Sequence, residues 1–271
     1  YGCHVVWAVR NTQKAEKALE DLRSRETLTG KATILRIQLD DLGTVKPFVE
    51  EFLKLGLPLN YLIENAGIMA PPQWAPSKQG LESQFAVNIL SHHLLATLLL
   101  PKLRETAKQV GEARIVILGS IAGEACYNID LETAVPSAKE NYSDLGDYTT
   151  TKAMDIIHAR QLQKACTGDN VYVCAVHPGI IKSGLGSENP GLVAMFYASK
   201  TMWAFQKNIP QGAATTVYCA LSPDIPGHIK AGSYFFYNCA PQRVVGFAGK
   251  ASQAFAEQLE EKMQGFTKPY A

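Results

Sequence analysis

Five short apolar runs rich in β-branched residues recur along the chain: His4 to Val9 (HVVWAV), Ala32 to Ile37 (ATILRI), Tyr61 to Glu64 (YLIE), Arg114 to Leu118 (RIVIL) and Val171 to Val176 (VYVCAV). Runs of this length and make-up predict strands buried on both faces. Between them fall segments of helical spacing: Ala15, Ala18, Leu19 and Leu22 after the polar start NTQK, then Val45, Phe48, Val49 and Phe52. Strand alternating with helix implies parallel pairing through right-handed crossovers, and hence an α/β fold with helices on both faces of a parallel sheet. No internal repeat, low-complexity tract or linker interrupts the 271 residues, which predicts one domain over 1–271.

Basic and acidic residues number 26 and 25, with no long run of either sign, which argues against nucleic acid or an anionic membrane as a partner. A neutral small molecule or a nucleotide suits such a surface better. Cys3, Cys126, Cys166, Cys174, Cys219 and Cys239 are scattered without a CxxC pair. Neither a zinc site nor a disulfide framework is expected, and a reducing intracellular compartment, cytoplasmic or membrane-associated, is. The longest apolar run, Leu94 to Leu100, stops at Pro101, short of the roughly 18 residues a membrane span requires. The chain opens on YGCHVVWAVR, already inside a strand and without an initiator methionine, so its natural start is expected upstream along with any targeting signal or anchor.

The stretch DYTTTKAMD sets Tyr148 and Lys152 four positions apart, one above the other on a helix face. An ammonium group beside a phenol favours the phenolate and is expected to lower its pKa from about 10, tuning a general acid and base. Three strand ends carry polar or glycine-rich turns: Ser120 after RIVIL, ENAG (Glu64 to Gly67) after YLI, and VHPGIIKS (Val176 to Ser183) after the last run. Ligands in an α/β fold bind beyond the carboxyl ends of the strands, so the segment from Gly184 to Pro210, apolar and aromatic in its second half, is expected to be a substrate lid.

In motif, order and spacing these features resemble the short-chain dehydrogenase/reductase family, from the first residue to about Tyr237. The resemblance implies a Rossmann-like doubly wound parallel sheet. It also implies reversible hydride transfer between a nicotinamide and a carbonyl or alcohol carbon. Tyr148 and Lys152 match the family's YxxxK, Ser120 the serine that orients the carbonyl, and Asn88 in FAVNIL the asparagine that holds a proton-relay water. Lys152 and Tyr148 would also contact the nicotinamide ribose. The 28 positions from Ser120 to Tyr148, YNIDLE within them, and the HPG at His177 to Gly179 are similar to the retinol dehydrogenase-like branch. That branch includes WW-domain oxidoreductase and protochlorophyllide reductase; Ala153 and Met154 stand where the latter usually carries a cysteine. A lipophilic aldehyde, ketone or alcohol is the implied substrate, and a homo-oligomer through the helices of Asn88 and Tyr148 the implied assembly. A catalytically silent, nucleotide-binding scaffold is the alternative.

Arg10 ends the HVVWAV strand with no acidic residue beside it, which favours NADP(H) and its 2′-phosphate over NAD(H). By the same resemblance, Gln38, Asn65, Ala66 and Gly67 line the adenosine and ribose path, with Asp40 a substitute for Gln38. Pro178, Gly179, Ile180 and Ser183 contact the nicotinamide end. Glu64 replaces the first asparagine of the family's NNAG, which should alter local hydrogen bonding rather than the chemistry. His92 and His93 point in different directions on a helix and show no third ligand, so no metal is expected. The family's first strand and TGxxxGxG turn do not precede GCHVV, which predicts that these 271 residues alone bind the cofactor weakly and fold poorly.

Overall fold

Strands and helices alternate in a computed structural model that describes residues 2–27, 29–132, 138–181, 183–187, 189–191 and 206–271. In order they are β1 (His4–Val9), α1 (Thr12–Arg25), β2 (Lys31–Arg36), α2 (Val45–Lys54), β3 (Tyr61–Glu64), α3 (Ser91–Val110), β4 (Ala113–Leu118), α4 (Asp144–Ala165) and β5 (Val171–His177). There follow β6 (Ile180–Ile181), β7 (Gln206–Lys207), α5 (Ile209–Leu221), α6 (Ile225–Lys230), β8 (Phe235–Tyr237), β9 (Ala240–Pro241), α7 (Gly246–Lys250) and α8 (Gln253–Thr267). Most of the expected lid, 184–210, lies outside the described residues.

The main sheet runs β3-β4-β5-β8-β9, parallel except for the last pair. Its register, Tyr61 opposite Arg114 and Ala113 opposite Val171, brings the carboxyl ends of β3, β4 and β5 to one edge. Burial on both faces holds for β4 and β5, and alternation shows how. Ile115, Ile117, Val173 and Ala175 face the core shared with α3 and α4, while Val116, Cys174 and Val176 face Cys219 of α5 and Ile225 of α6. Burying each such side chain contributes roughly 1.5–3 kcal/mol, so this pair of strands is the most strongly held part of the sheet.

The expectation of two-sided burial fails for β1, β2 and β3. β1 and β2 form a separate parallel ladder, and among the described residues no strand joins β1 to β3. Val5 and Ile63, on these two strands, are 49% and 44% exposed as a result. Helix α1 buries Ala15 and Leu19, whereas Ala18 and Leu22 are exposed; in α2 all four predicted positions are buried.

Helix α3 also departs from expectation, since it continues through Pro101. The ring removes one hydrogen bond, to the carbonyl of Thr97, and the buried Leu99 and Leu103 on either side hold the helix through the defect. A π-helical turn, Phe85–Leu90, leads into α3. Together, Phe85–Val110 is the one helix among the described residues long and apolar enough to cross a membrane, and 67% of its apolar window is buried inside the fold. Helix α8 packs across α3 and α4.

Candidate functional site at the carboxyl edge of the sheet

Ser120 follows β4 in extended conformation and caps a short 3-10 turn, Ile121–Ala125, its hydroxyl accepting from the Ala122 N–H at 3.1 Å. Within that turn Gly123 lies flat against α4. A Cβ there would stand 2.7 Å from Ala153 N and from the carbonyl of Lys152. Only glycine allows the Ser120 segment to press so closely on the helix that carries Tyr148 and Lys152. That helix is started by Ser143, whose hydroxyl accepts from the Gly146 N–H, with Asp144 and Asp147 in the first turn where the helix dipole favours them.

Tyr148 and Lys152 are both 6% exposed. The Lys152 ammonium donates to the Leu118 carbonyl at 2.7 Å and to Asp155 Oδ2 at 2.8 Å, and lies 5.9 Å from the centre of the Tyr148 ring. The Ser120 side chain acts on the Tyr148 phenol, favouring its phenolate form. Asn88, fully buried in the π turn, fastens the other wall. Its Nδ2 donates to the Ile68 carbonyl at 3.0 Å and to Thr151 Oγ1 at 3.2 Å, and its Oδ1 accepts from the Ile68 N–H at 2.9 Å. A Cβ on Gly67 would meet Asn88 Oδ1 at 3.2 Å and Lys152 Nζ at 4.0 Å. The structure thus brings Asn88, Gly67, Ser120, Tyr148 and Lys152 together at the ends of β3 and β4.

The electrostatics correct one expectation. The Tyr148 hydroxyl is pushed above its ordinary value, not below it: burial raises it, Asp155 adds to this, and the opposing pull of Lys152 and Ser120 is smaller. Burial works against the Lys152 ammonium as well, but the Asp155 carboxylate and Tyr148 outweigh it and hold the lysine above its usual range. Burial likewise raises the Asp155 carboxyl against the pull of Lys152.

Asp155 and Glu64 are the residues sequence reasoning overlooked or undervalued. Asp155 stands three positions beyond Lys152, within the motif itself, so the i, i+3 spacing was a usable signal. Glu64, at the end of β3, is 2% exposed and neither of its carboxyl oxygens has a hydrogen-bond partner. Burial first, then the charge of Asp155, pushes its pKa well above the carboxylate range.

The remaining predicted contacts follow the ends of β3, β5, β1 and β2. Asn65 and Ala66 are exposed, while Gly67, Pro178, Gly179 and Ile180 are partly buried. Gly179 takes φ +95°, which favours glycine. Ser183 is exposed, its hydroxyl accepting from the Leu185 N–H. Arg10 is exposed at the end of β1, and Gln38 is partly buried beyond β2 with its backbone N–H and carbonyl both bonded to Thr44 Oγ1. Both belong to the ladder that is separate from the main sheet.

The short chain dehydrogenase family model matches residues 1–130. Short-chain dehydrogenase TIC 32 B, chloroplastic, of Brassica napus is 37% identical over 238 residues, covering 86% of this chain and 72% of that protein. The chain belongs to the short-chain dehydrogenase/reductase family. Retinol dehydrogenase 12 of Mus musculus, 32% identical over 237 residues and covering 86% of this chain and 70% of that protein, places it in the retinol dehydrogenase-like branch. In three dimensions, this dehydrogenase/reductase matches the crystal structure of an uncharacterized protein from Mycobacterium paratuberculosis with a TM-score of 0.63 and 27% identity, over 97% of this chain and 84% of that one. Membership makes the protein an oxidoreductase acting on CH–OH groups with NAD(P).

Proposed function

We propose that the protein is an NADP(H)-dependent oxidoreductase that interconverts a lipophilic aldehyde or ketone and its alcohol, with Ser120, Tyr148, Lys152 and Asn88 as its chemical machinery. The observation that carries this reading is the burial of Tyr148 with the Lys152 ammonium 5.9 Å from its ring centre, beside the strand end that Ser120 follows.

The residues present fit a nicotinamide dinucleotide. Two of the three N–H donors of Lys152 are taken by Leu118 and Asp155, leaving one for a ribose hydroxyl. Asn65 and Ala66 present an open strand end to the adenosine side, with Gly67, Pro178, Gly179, Ile180 and Ser183 as further contacts. Arg10 would meet a 2′-phosphate and Gln38 the adenine, which favours NADP(H) over NAD(H). The dinucleotide supplies or accepts the hydride at the substrate carbon.

Ser120 donates a hydrogen bond to the substrate oxygen as it gains negative charge. Tyr148 delivers its proton to that oxygen in reduction and takes it back in oxidation, and burial keeps it protonated before it does so. Lys152, kept cationic by Asp155, offsets the charge left on the phenolate. Asn88, tied to Ile68 and Thr151, holds the wall behind Lys152 and would position a relay water there. The apolar composition of 193–205 supports a lipophilic substrate.

The test is Tyr148→Phe in the natural protein, assayed with NADPH and NADH against aliphatic and retinoid aldehydes. The expected result is a loss of at least about a hundredfold in kcat with cofactor affinity retained, and a wild-type preference for NADPH. Unchanged turnover in the variant would sink the catalytic assignment, and a wild type that binds cofactor without turnover would support a silent scaffold.

A further inference from the structure

His93 on α3, His158 on α4 and Glu260 on α8 converge. His93 Nε2 lies 2.9 Å from one carboxylate oxygen of Glu260, and His158 Nδ1 lies 3.1 Å from the other. The ligand atoms of the three residues all fall within 4.8 Å of one another. Sequence reasoning set His93 aside for want of a third ligand; the fold supplies two, from segments far along the chain.

We propose that His93, His158 and Glu260 form a binding site for a divalent transition ion of zinc type, three protein ligands with a fourth position open on the Glu260 side. The donor set, two imidazoles and one carboxylate, is among those zinc takes. Bonds of roughly 2.0–2.1 Å to a tetrahedral ion put neighbouring ligand atoms about 3.3 Å apart, so the two contacts to Glu260 open by a few tenths of an ångström while the widest separation, within 4.8 Å, draws in by up to about 1.5 Å.

The surroundings are prepared for this. His93 Nδ1 lies 3.3 Å from Thr267 Oγ1, an outer partner of the kind that orients a ligating imidazole, and Gln264 Nε2 donates to Glu260 Oε1 at 3.4 Å. Burial pushes the His93 imidazole down and keeps it neutral, so an ion binding at Nε2 displaces the single proton that nitrogen shares with Glu260. Burial opposes the Glu260 charge, but hydrogen bonds from His158 and His93 more than offset it and keep the carboxyl well below its usual range. Both histidines are almost wholly buried while Glu260 is 26% exposed, which leaves a route for the ion and a place for one water. An ion there ties together the helices that follow Asn88 and carry Tyr148, and fastens α8 across them.

The natural protein, stripped with a chelator and dialysed against Zn²⁺, is expected to take up one equivalent. Co²⁺ in its place should give ligand-field bands of nitrogen and oxygen ligation without a sulfur charge-transfer band. His93→Gln and His158→Gln should each weaken uptake by at least about tenfold, and Glu260→Gln, at a partly exposed position, does the same where a histidine variant fails to fold. Absence of stoichiometric uptake by the wild type, thiolate ligation, or undiminished uptake by Glu260→Gln overturns the site.

Discussion

Glu64 shows at the scale of one side chain how a strand end can carry an unstable charge. Its carboxyl is buried, has no hydrogen-bond partner and feels Asp155, so the folded protein holds it protonated at pH values where an unfolded chain has released the proton. The folded pKa is raised above the unfolded value of about 4.3. Its contribution is therefore fully present below that value and is lost as pH rises toward the folded one. Glu64→Gln, which keeps the shape and removes the titration, should raise the denaturation midpoint at pH 8 more than at pH 5. Denaturant unfolding at the two pH values checks this, and an equal shift at both contradicts it. The glutamate was visible in ENAG as a departure, but its burial was not, because that depends on what covers the end of β3. Similarly, Tyr148 and Lys152 could be paired from their spacing, whereas the direction of the tyrosine shift depended on burial that spacing does not reveal.

At the scale of elements, the contact between the Ser120 turn and α4 decides whether the serine reaches the tyrosine. Gly123 is the closest point of that contact, and a methyl group there would collide with backbone, which cannot rotate aside. Gly123→Ala should cost about 1–3 kcal/mol of stability as the turn is pushed off the helix. It should also lower kcat by more than it changes the KM for the cofactor, as steady-state kinetics and chemical denaturation would together show; unchanged kcat at full stability would contradict it. The strands were legible to within a residue or so, as with Arg114–Leu118 against Ala113–Leu118, because β4 and β5 fill with β-branched residues on both faces. Helix α3 was less legible, since Pro101 argues locally for a stop that packing on both sides of it overrides.

For the whole molecule, the two ladders should differ in how readily they open. β4 and β5 are covered by helices on both faces, whereas among the described residues β1 and β2 pair only with each other and Val5 is half exposed. Amide hydrogen exchange should therefore be slowest at Ile115 to Ile117 and Val173 to Ala175, and faster throughout β1 and β2; equal protection of the two ladders would contradict this. The parallel order of the sheet followed from the alternation of runs and helices alone. Its division into two ladders is seen only in the pairing itself, β1 with β2 and β3 with β4, among the described residues. What no local pattern could supply was the meeting of His93, His158 and Glu260, because it arises only when α8 returns across α3 and α4.

The π turn at Phe85–Leu90 has a consequence for insertions and deletions over evolutionary time. A wide turn of this kind holds one residue more than an α-helical turn does, and removing that residue would let the helix close into regular geometry with little disturbance to α3. It would also rotate everything before the cut by about 100° relative to everything after it. Asn88 could not then hold both Ile68 and Thr151. The spare residue is thus the one length change in this helix that mends the backbone and spoils the site, and drift toward a tidier helix would have to be selected against.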